Sequence, residues 1–357
     1  TEANYLQGAT ATFKLSNSFN LTAFASWRTI DATLNRNSTT VATILQTGYH
    51  RTKSEMKRRR NTSETLFGGN VNFFHNGWHA GITGFYTHFN RELKPSTTQL
   101  YRYWYPKGSQ FWNASIDYGY VSGRLNISGE TATGNCQQIA TINTISYQLT
   151  PTLTLMALQR YYPYQYYSLF SESFAEGGNV QNESGVYLGG NWLIGRYMKL
   201  LFYTDYAWFA WPKYRISESS GSWDNMIQLT GQKEPWSWAF RYRIRAKKRD
   251  ITGKRIAIPF TEQRARASAI YNNNNWSLQT QLDMALCQFT HKSFGIMLTE
   301  NIGYSYQHIR LNLTAGFFNT DDYNSRLYTY ERGVLYNFSF PSFYGKGMRL
   351  ALNTRVD

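Results

Sequence analysis

The densest basic run of the sequence alternates with apolar residues. Four cations occupy every second position from 241 to 247, namely Arg241, Arg243, Arg245 and Lys247. Arg264 and Arg266 repeat that spacing. Because successive side chains of a strand point to opposite faces, each run predicts a strand with one cationic face, and the two strands are expected to be neighbours. Such a wall attracts anions.

Like charges directly opposite each other destabilise a sheet. Glu262 and Asp283 fall on the same predicted face and would relieve that repulsion. Two interpretations therefore stay open. The wall either draws anions into a wet lumen or is an internally salt-bridged, water-filled surface that carries no cargo.

A second basic cluster lies ahead of residue 61. It consists of His50, Arg51, Lys57, Arg58, Arg59 and Arg60. Thr52 followed by Glu55 is a capping-box pattern, which predicts a short helix starting near Lys53. This cluster either contacts lipopolysaccharide phosphates, peptidoglycan or a partner protein, or it is a solvated helix end.

The remaining reactive side chains form no recognisable catalytic pattern. His75 and His79 are four residues apart but are separated by a predicted turn at Asn76-Gly77, so helical metal spacing does not apply. His291 precedes Ser293 within a turn that offers no fixed scaffold. We find no paired-carboxylate site, nucleophile elbow or phosphate loop, so we expect no catalytic residues, no metal, no cofactor and no enzyme activity. An outer-membrane hydrolase is a remote alternative.

The two cysteines, Cys136 and Cys287, are 151 residues apart and show neither metal spacing nor a disulfide framework. Whether they pair depends on Cα geometry, which the sequence does not give.

Period-two alternation continues through most of the chain. Runs with this pattern lie at 5–16, 19–30, 66–75, 79–90, 110–122, 124–133, 138–149, 152–162, 184–195, 197–210, 222–231, 236–249, 260–271, 276–289, 295–307, 308–319, 328–340 and 346–356. These are eighteen runs, but sequence does not fix the boundaries of short strands and neighbouring runs can merge. They therefore predict about 16 strands, within about 14 to 18. Residues 31–63 show no alternation and are expected to form a helix-bearing loop or plug insertion.

The composition favours a sheet that meets lipid. Aromatic residues make up 17% of the 357 residues, with 28 Tyr and 11 Trp, as the interface girdles of membrane barrels require. No run approaches the roughly 20 apolar residues of a membrane-spanning helix, and the mean hydropathy is −0.51. A soluble sandwich would need inner faces of Val, Ile and Leu, whereas the apolar faces of this sequence are Ala, Leu, Tyr, Trp and Gly. A propeller would show repeats of about 40 to 50 residues, and we find none in the sequence. We therefore predict an all-β fold: one transmembrane antiparallel β-barrel over residues 1–357, in the bacterial outer membrane.

The net charge of +15 fits two non-enzymatic roles. One is a conduit with a positively charged lumen; the other is the membrane-anchored subunit of a multiprotein envelope complex, which aromatic loops at 101–105 and 161–170 would serve. The expected partners are outer-membrane lipid, lipopolysaccharide and other envelope proteins. A DNA-binding or DNA-uptake barrel is the alternative, but no base-stacking platform is evident.

Two segments resemble one family. The run from Tyr328 to Gly347, which reads Tyr-Thr-Tyr-Glu-Arg-Gly-Val-Leu-Tyr-Asn-Phe-Ser-Phe-Pro-Ser-Phe-Tyr-Gly-Lys-Gly, and the run Gly48-Tyr49-His50-Arg51-Thr52 to Glu55 look like the barrel portion of Bacteroidota outer-membrane proteins that carry a helix-hairpin-helix region ahead of the barrel. The resemblance implies an outer-membrane location and a periplasmic domain before Thr1. A secretion signal is likewise expected upstream, and the ending Arg355-Val356-Asp357 lacks the terminal aromatic of many barrels.

Overall fold

The computed structural model describes residues 5–332 and 338–356, and β-strands dominate it. The all-β class predicted from the alternation is confirmed. Among the described residues no helix is long and apolar enough to cross a membrane. The chain divides into two compact units, the first made of Thr1–Tyr147, Ala157–Val186 and Ala207–Ser220, the second of Gln148–Met156, Tyr187–Tyr206 and Gly221–Asp357.

In chain order, the elements up to the middle of the sequence are β1 (Gly8–Lys14), β2 (Phe19–Ile30), β3 (Ala32–Leu34), β4 (Val41–Ile44), α1 (Lys53–Met56), β5 (Thr62–His75), β6 (Trp78–Leu93), a 3-10 helix (Leu100–Arg102), β7 (Gly108–Val121), β8 (Leu125–Gly134), β9 (Ala140–Thr150), β10 (Leu153–Tyr162), β11 (Glu183–Ile194) and β12 (Met198–Phe209). They are followed by β13 (Ser220–Lys233), β14 (Trp236–Asp250), β15 (Ala257–Asn272), β16 (Trp276–Gln288), β17 (Lys292–Tyr306), β18 (Ile309–Thr320), β19 (Leu327–Tyr328), β20 (Glu331–Arg332), β21 (Phe338–Ser339), β22 (Ser342–Phe343) and β23 (Lys346–Val356).

The first unit is an antiparallel ladder in which β1 pairs with β2, β2 with β5, and β5 to β9 follow in order. The predicted hairpin at Asn76-Gly77 is confirmed: both residues have positive φ, 48° and 83°, as a two-residue turn of this kind requires. A small apolar core closes one end of this unit. It is made of Ile30, Ala32, Val41, Phe89, Leu93 and Phe111.

The second unit is an antiparallel ladder from β13 through β18, ending on β23. The predicted runs from 222 to 319 correspond to strands β13 to β18. Their bounds differ from the prediction by only a few residues.

The strands have the polarity opposite to that of a water-soluble sheet. In β17, Phe294 is 43% exposed while its neighbour Ser293 is 2% exposed. In β16, Leu278 and Leu286 are exposed whereas Gln281 and Asp283 are buried. Exposing this much apolar surface to water costs about 25 cal/mol per Å², and lipid removes that cost. The apolar faces are therefore built to contact a bilayer.

The predicted count of about 16 strands is wrong. Nineteen of the described strands, β1–β18 and β23, take part in the main ladders, while β19–β22 form two separate two-stranded pairs. No closed barrel is found among the pairings of the described residues.

Residues 31–63 contain the predicted helix together with two short strands, β3 and β4, and the first two residues of β5. Strand β3 pairs with β4, and Val41 of β4 pairs in parallel with Leu93 of β6. Ala32 and Val41 are fully buried. At three and four residues, these strands are too short for alternation to be read from sequence, and burial against the end of the ladder stabilises them.

The continuous strand predicted at 328–340 is also wrong, since only β19, β20 and β21 occur there among the described residues. Residues 333–337 of that run, and of the resemblance motif, lie outside the described residues.

Candidate functional site

The predicted cationic wall lies on β14 and β15, which are direct neighbours. Arg241 is opposite Arg266, and Arg243 is opposite Arg264. The odd-numbered cations of β14 alternate with Phe240, Tyr242 and Ile244, as the sequence predicted. Like charges therefore meet in register, which requires compensation.

Three carboxylates supply that compensation. Arg243 Nε donates to Asp224 Oδ1 at 2.8 Å, and Arg245 Nε donates to Asp224 Oδ2 at 3.1 Å. Arg264 Nε donates to Glu262 Oε1 at 2.7 Å. Arg266 Nε donates to Asp283 Oδ1 at 2.6 Å. Four of the six cations are thus in ion pairs.

Asp224, on β13, is the carboxylate that sequence reasoning missed. It is 5% exposed, while Trp223 beside it is 55% exposed. The alternation of Ser222, Trp223 and Asp224 was the signal that would have placed it on the polar face.

Arg241 and Lys247 differ from the other four cations. Among the described residues neither makes a hydrogen bond or an ion pair, although both stand on the same polar face of β14. Arg241 is also exposed. These two side chains are the wall cations that have no carboxylate partner among the described residues.

Residues 321–328, which we call the covering segment, lie against this wall. Arg264 Nη1 donates to the backbone oxygen of Arg326 at 3.1 Å, and Arg266 Nη2 donates to that of Tyr328 at 2.9 Å. Leu327 is buried among Ala285, Met297 and Phe343. The wall therefore binds a stretch of backbone as well as its own carboxylates, and no pattern in the sequence indicated this contact.

Cys287 lies under the covering segment. Its Sγ is 3.2 Å from the backbone oxygen of Asn324, and the residue is 1% exposed. It belongs to the polar face of β16, together with Asp283 and Ala285. Both Cys136 and Cys287 are free thiols.

Asp322 organises the start of the covering segment. Its Oδ1 accepts the backbone N–H groups of Asn324 at 2.8 Å and Ser325 at 3.2 Å, and it also accepts the hydroxyl of Ser293. Burial raises the pKa of this carboxyl, but the hydrogen bonds from Ser293, Ser325 and Asn324 outweigh burial and lower the pKa to about 2.

This pKa gives a testable pH dependence. Because the folded pKa lies below the ordinary aspartate value of 3.8, the stabilising contribution is complete above that value and is lost as the pH falls through about 2. We expect the amides of Asn324 and Ser325 to keep their protection from hydrogen exchange at pH 4, after correction for intrinsic rates. Asp322→Asn should remove the protection at both pH 4 and pH 7. Wild-type protection that is already lost at pH 4 would contradict this prediction.

In the second basic cluster, two of the six residues, His50 and Arg51, make ion pairs. The capping box is present: Thr52 Oγ1 accepts from Glu55 N at 3.2 Å, and the Glu55 carboxylate accepts from Thr52 N at 3.1 Å. Helix α1 itself has four residues. His50 Nε2 lies 2.5 Å from Asp31 Oδ2, and Arg51 pairs with Glu55. The other predicted cations are exposed and make no side-chain ion pair within the described ranges: Lys57, Arg58, Arg59 and Arg60.

The histidine and serine noted at 291 and 293 do not form a catalytic relay. His291 Nε2 is 3.0 Å from Asp322 Oδ2, and the Ser293 hydroxyl donates to Oδ1 of the same carboxylate. Both groups therefore bind the aspartate, so the imidazole has no place as a base for the serine. No group of three or more potential metal ligands occurs in the described part of the chain.

The aromatic loops pack against one another. Trp104, Tyr164 and Trp211 form a cluster with ring centroids 5.3–6.0 Å apart. The indole N–H of Trp211 donates to the backbone oxygen of Leu100 at 2.8 Å. These rings stabilise the loops, while Tyr103 and Tyr214 at the edge of the cluster are exposed.

Comparison with known proteins gives structural likeness only. No family model matches the chain, and no curated protein matches it. Among solved structures, the chain is similar to the outer-membrane expressed OmpT of Vibrio cholerae, with 6% identity, a TM-score of 0.41 and coverage of 97% of this chain and 99% of that one. It is also similar to a bacterial polysaccharide outer membrane secretin, with 9% identity, a TM-score of 0.38 and coverage of 96% and 100%.

A third similar structure is the siderophore receptor PirA from Pseudomonas aeruginosa, with 10% identity, a TM-score of 0.40 and coverage of 88% of this chain and 68% of that one. These TM-scores are below 0.5, so the matches carry no argument about substrate or mechanism. No family assignment follows from them.

Proposed function

We propose that this chain is a non-enzymatic β-barrel protein of the bacterial outer membrane that conducts small anions past the wall formed by β14 and β15. The observation that carries the proposal is that Arg241 and Lys247 make no ion pair among the described residues, whereas the other four cations of the wall are bound by three carboxylates. A barrel of this many strands has room for an aqueous channel unless loops fill it.

Each part of the wall has a distinct role in this proposal. Asp224, Glu262 and Asp283 prevent the like charges from repelling one another. The covering segment narrows the passage beside Arg264 and Arg266. Arg241 and Lys247 then set the preference for anions, because a unit charge at 4 Å contributes about 1 kcal/mol even in water.

The test is the ion selectivity of the purified protein in a planar bilayer. We expect a stable conductance with an anion-selective reversal potential. Replacing both Arg241 and Lys247 with Gln should lower the anion-to-cation permeability ratio by about fivefold per charge removed, which is the factor that corresponds to about 1 kcal/mol.

The control is Arg124→Gln, which removes one positive charge from an exposed turn between β7 and β8, to be compared with Arg241→Gln alone, and it should leave the ratio unchanged. Equal effects of the wall and turn variants would refute a selectivity role for the wall. A silent bilayer, from protein shown to be folded and inserted, would refute the conduit itself.

A membrane-anchored role in an envelope complex is the second candidate. It is supported by Tyr103 and Tyr214, which are 49% and 64% exposed at the edge of the loop cluster. Exposed aromatic side chains of this kind commonly anchor protein partners. In either role, the exposed cations from Lys57 to Arg60 are proposed to contact lipopolysaccharide phosphates. The DNA-uptake alternative predicts salt-dependent DNA binding by the purified protein, and an absence of binding at low salt would exclude it.

A further inference from the structure

A cavity of about 370 Å³ lies at one end of the first unit, remote in sequence from the cationic wall. Strand β2, the β3–β4 hairpin, the segment at 93–106 and residues 169–170 surround it. Its lining is mainly apolar and includes Ile30, Val41, Ile44, Leu93, Leu169 and Phe170. Its volume falls within the range of small-molecule sites, and an apolar lining with a few fixed polar groups is typical of them.

Three charged side chains also line this cavity: Arg28, Glu64 and Arg102. Arg28 and Glu64 neutralise each other, with Arg28 Nε donating to Glu64 Oε1 at 2.9 Å and Arg28 Nη2 donating to Oε2 at 3.2 Å. Arg28 also donates to the backbone oxygen of Tyr5. Arg28 and Glu64 thus use most of their hydrogen-bonding groups on each other and on Tyr5, and their two charges cancel.

Arg102 is the exception. Its Nε is buried and has no hydrogen-bond partner among the described residues. The guanidinium stacks near the Tyr101 ring, with 5.3 Å between Cζ and the ring centroid, and that contact does not use the N–H groups. A buried donor without a partner is costly and calls for an explanation. The cavity thus combines an apolar body with one uncompensated positive charge.

We propose that this cavity binds a small amphipathic monocarboxylate, with its carboxylate on Arg102 and its alkyl body among the apolar side chains. A guanidinium is well suited to a carboxylate because it donates two parallel hydrogen bonds. Because Arg28 is already paired with Glu64, the lining offers no second cation to a further acidic group, so dicarboxylates are excluded. An aliphatic amine is excluded because the Arg102 guanidinium would repel its positive charge.

The test is calorimetric titration of the protein in phosphatidylcholine nanodiscs, with empty nanodiscs as the blank. The probes are hexanoate, octanoate and decanoate, with decanol as the uncharged comparison. We expect saturable binding of decanoate, about fourfold tighter for each added CH₂, and much weaker binding of decanol.

Arg102→Gln should weaken decanoate binding about 10- to 100-fold, the range expected for loss of a hydrogen bond to a charged group. Ala42→Phe retains Arg102 but fills part of the cavity, and it should weaken decanoate more than hexanoate. The control is Arg36→Gln, an exposed arginine in the neighbouring hairpin turn, which should bind as the wild type does. Heat-modifiable electrophoretic mobility shows that each variant is folded.

Three results would overturn the proposal. They are an absence of decanoate binding to the wild type, equal affinities for decanol and decanoate, and wild-type affinity in folded Arg102→Gln protein. Each is independent of conductance, so the proposed conduit stands or falls separately.

Discussion

Replacing Glu183 with Gln is expected to destabilise the protein by about 3–5 kcal/mol, the cost of leaving one partner of a buried ion pair uncompensated. Glu183 pairs with Arg160, and both side chains are 0% exposed. The carboxylate also accepts the backbone N–H groups of Glu176 at 2.8 Å and Gly177 at 2.9 Å, so it fixes the start of β11 to the loop before it. The free energy of unfolding is measured by urea denaturation of the protein in a bilayer, with tryptophan fluorescence as the probe.

Two further variants separate charge from packing. Glu172→Gln changes an exposed carboxylate of the same loop and should have no measurable effect. The double variant Arg160→Met, Glu183→Leu removes both charges and should be more stable than Glu183→Gln, because apolar replacement of a buried pair is often neutral. A double variant no more stable than the single one would show that packing or the hydrogen bonds to Glu176 and Gly177, rather than an unpaired charge, determine the loss.

Replacing both Arg264 and Arg266 with Gln is expected to release the covering segment. Each arginine donates a charge-assisted hydrogen bond to its backbone, and bonds of this kind contribute about 1.5–3 kcal/mol. Losing both should raise the fraction of molecules with the segment detached by about 100-fold or more. Native Cys287, buried beneath Asn324, reports this directly through its rate of labelling by a small maleimide in a Cys136→Ser background.

The control for this experiment lies on the same wall. Arg241 is directly opposite Arg266 but makes no hydrogen bond to the segment among the described residues. Arg241→Gln should therefore leave Cys287 labelling unchanged while it lowers anion preference. In the variant with both Arg264→Gln and Arg266→Gln, Cys287 should be labelled faster than in the wild type and the conductance should be higher. Labelling at the wild-type rate in the double variant would contradict the role assigned to the two arginines.

Local rules explain how much of this protein could be read from its sequence. The alternation from 236 to 289 determined which side chains share a face, because side-chain direction in a strand follows from the backbone of the neighbouring residues. It correctly predicted that the cations from 241 to 247 share one face and that their strand neighbours the strand of Arg264 and Arg266. The capping box at Thr52 and Glu55 was equally local, and the helix begins at Lys53 as predicted.

Only the tertiary structure decided which cations of the wall are paired and with which groups. Asp224 reaches Arg243 and Arg245 from a neighbouring strand, and the covering segment reaches Arg264 and Arg266 from 62 residues away. The β3–β4 hairpin likewise exists because Ala32 and Val41 are buried against the end of the ladder. Such contacts depend on where distant backbone is brought, and their free energy comes from burial and hydrogen bonding that no short window of sequence contains. The sequence therefore determined the faces of the strands, and the fold determined which cations of the wall have carboxylate partners among the described residues.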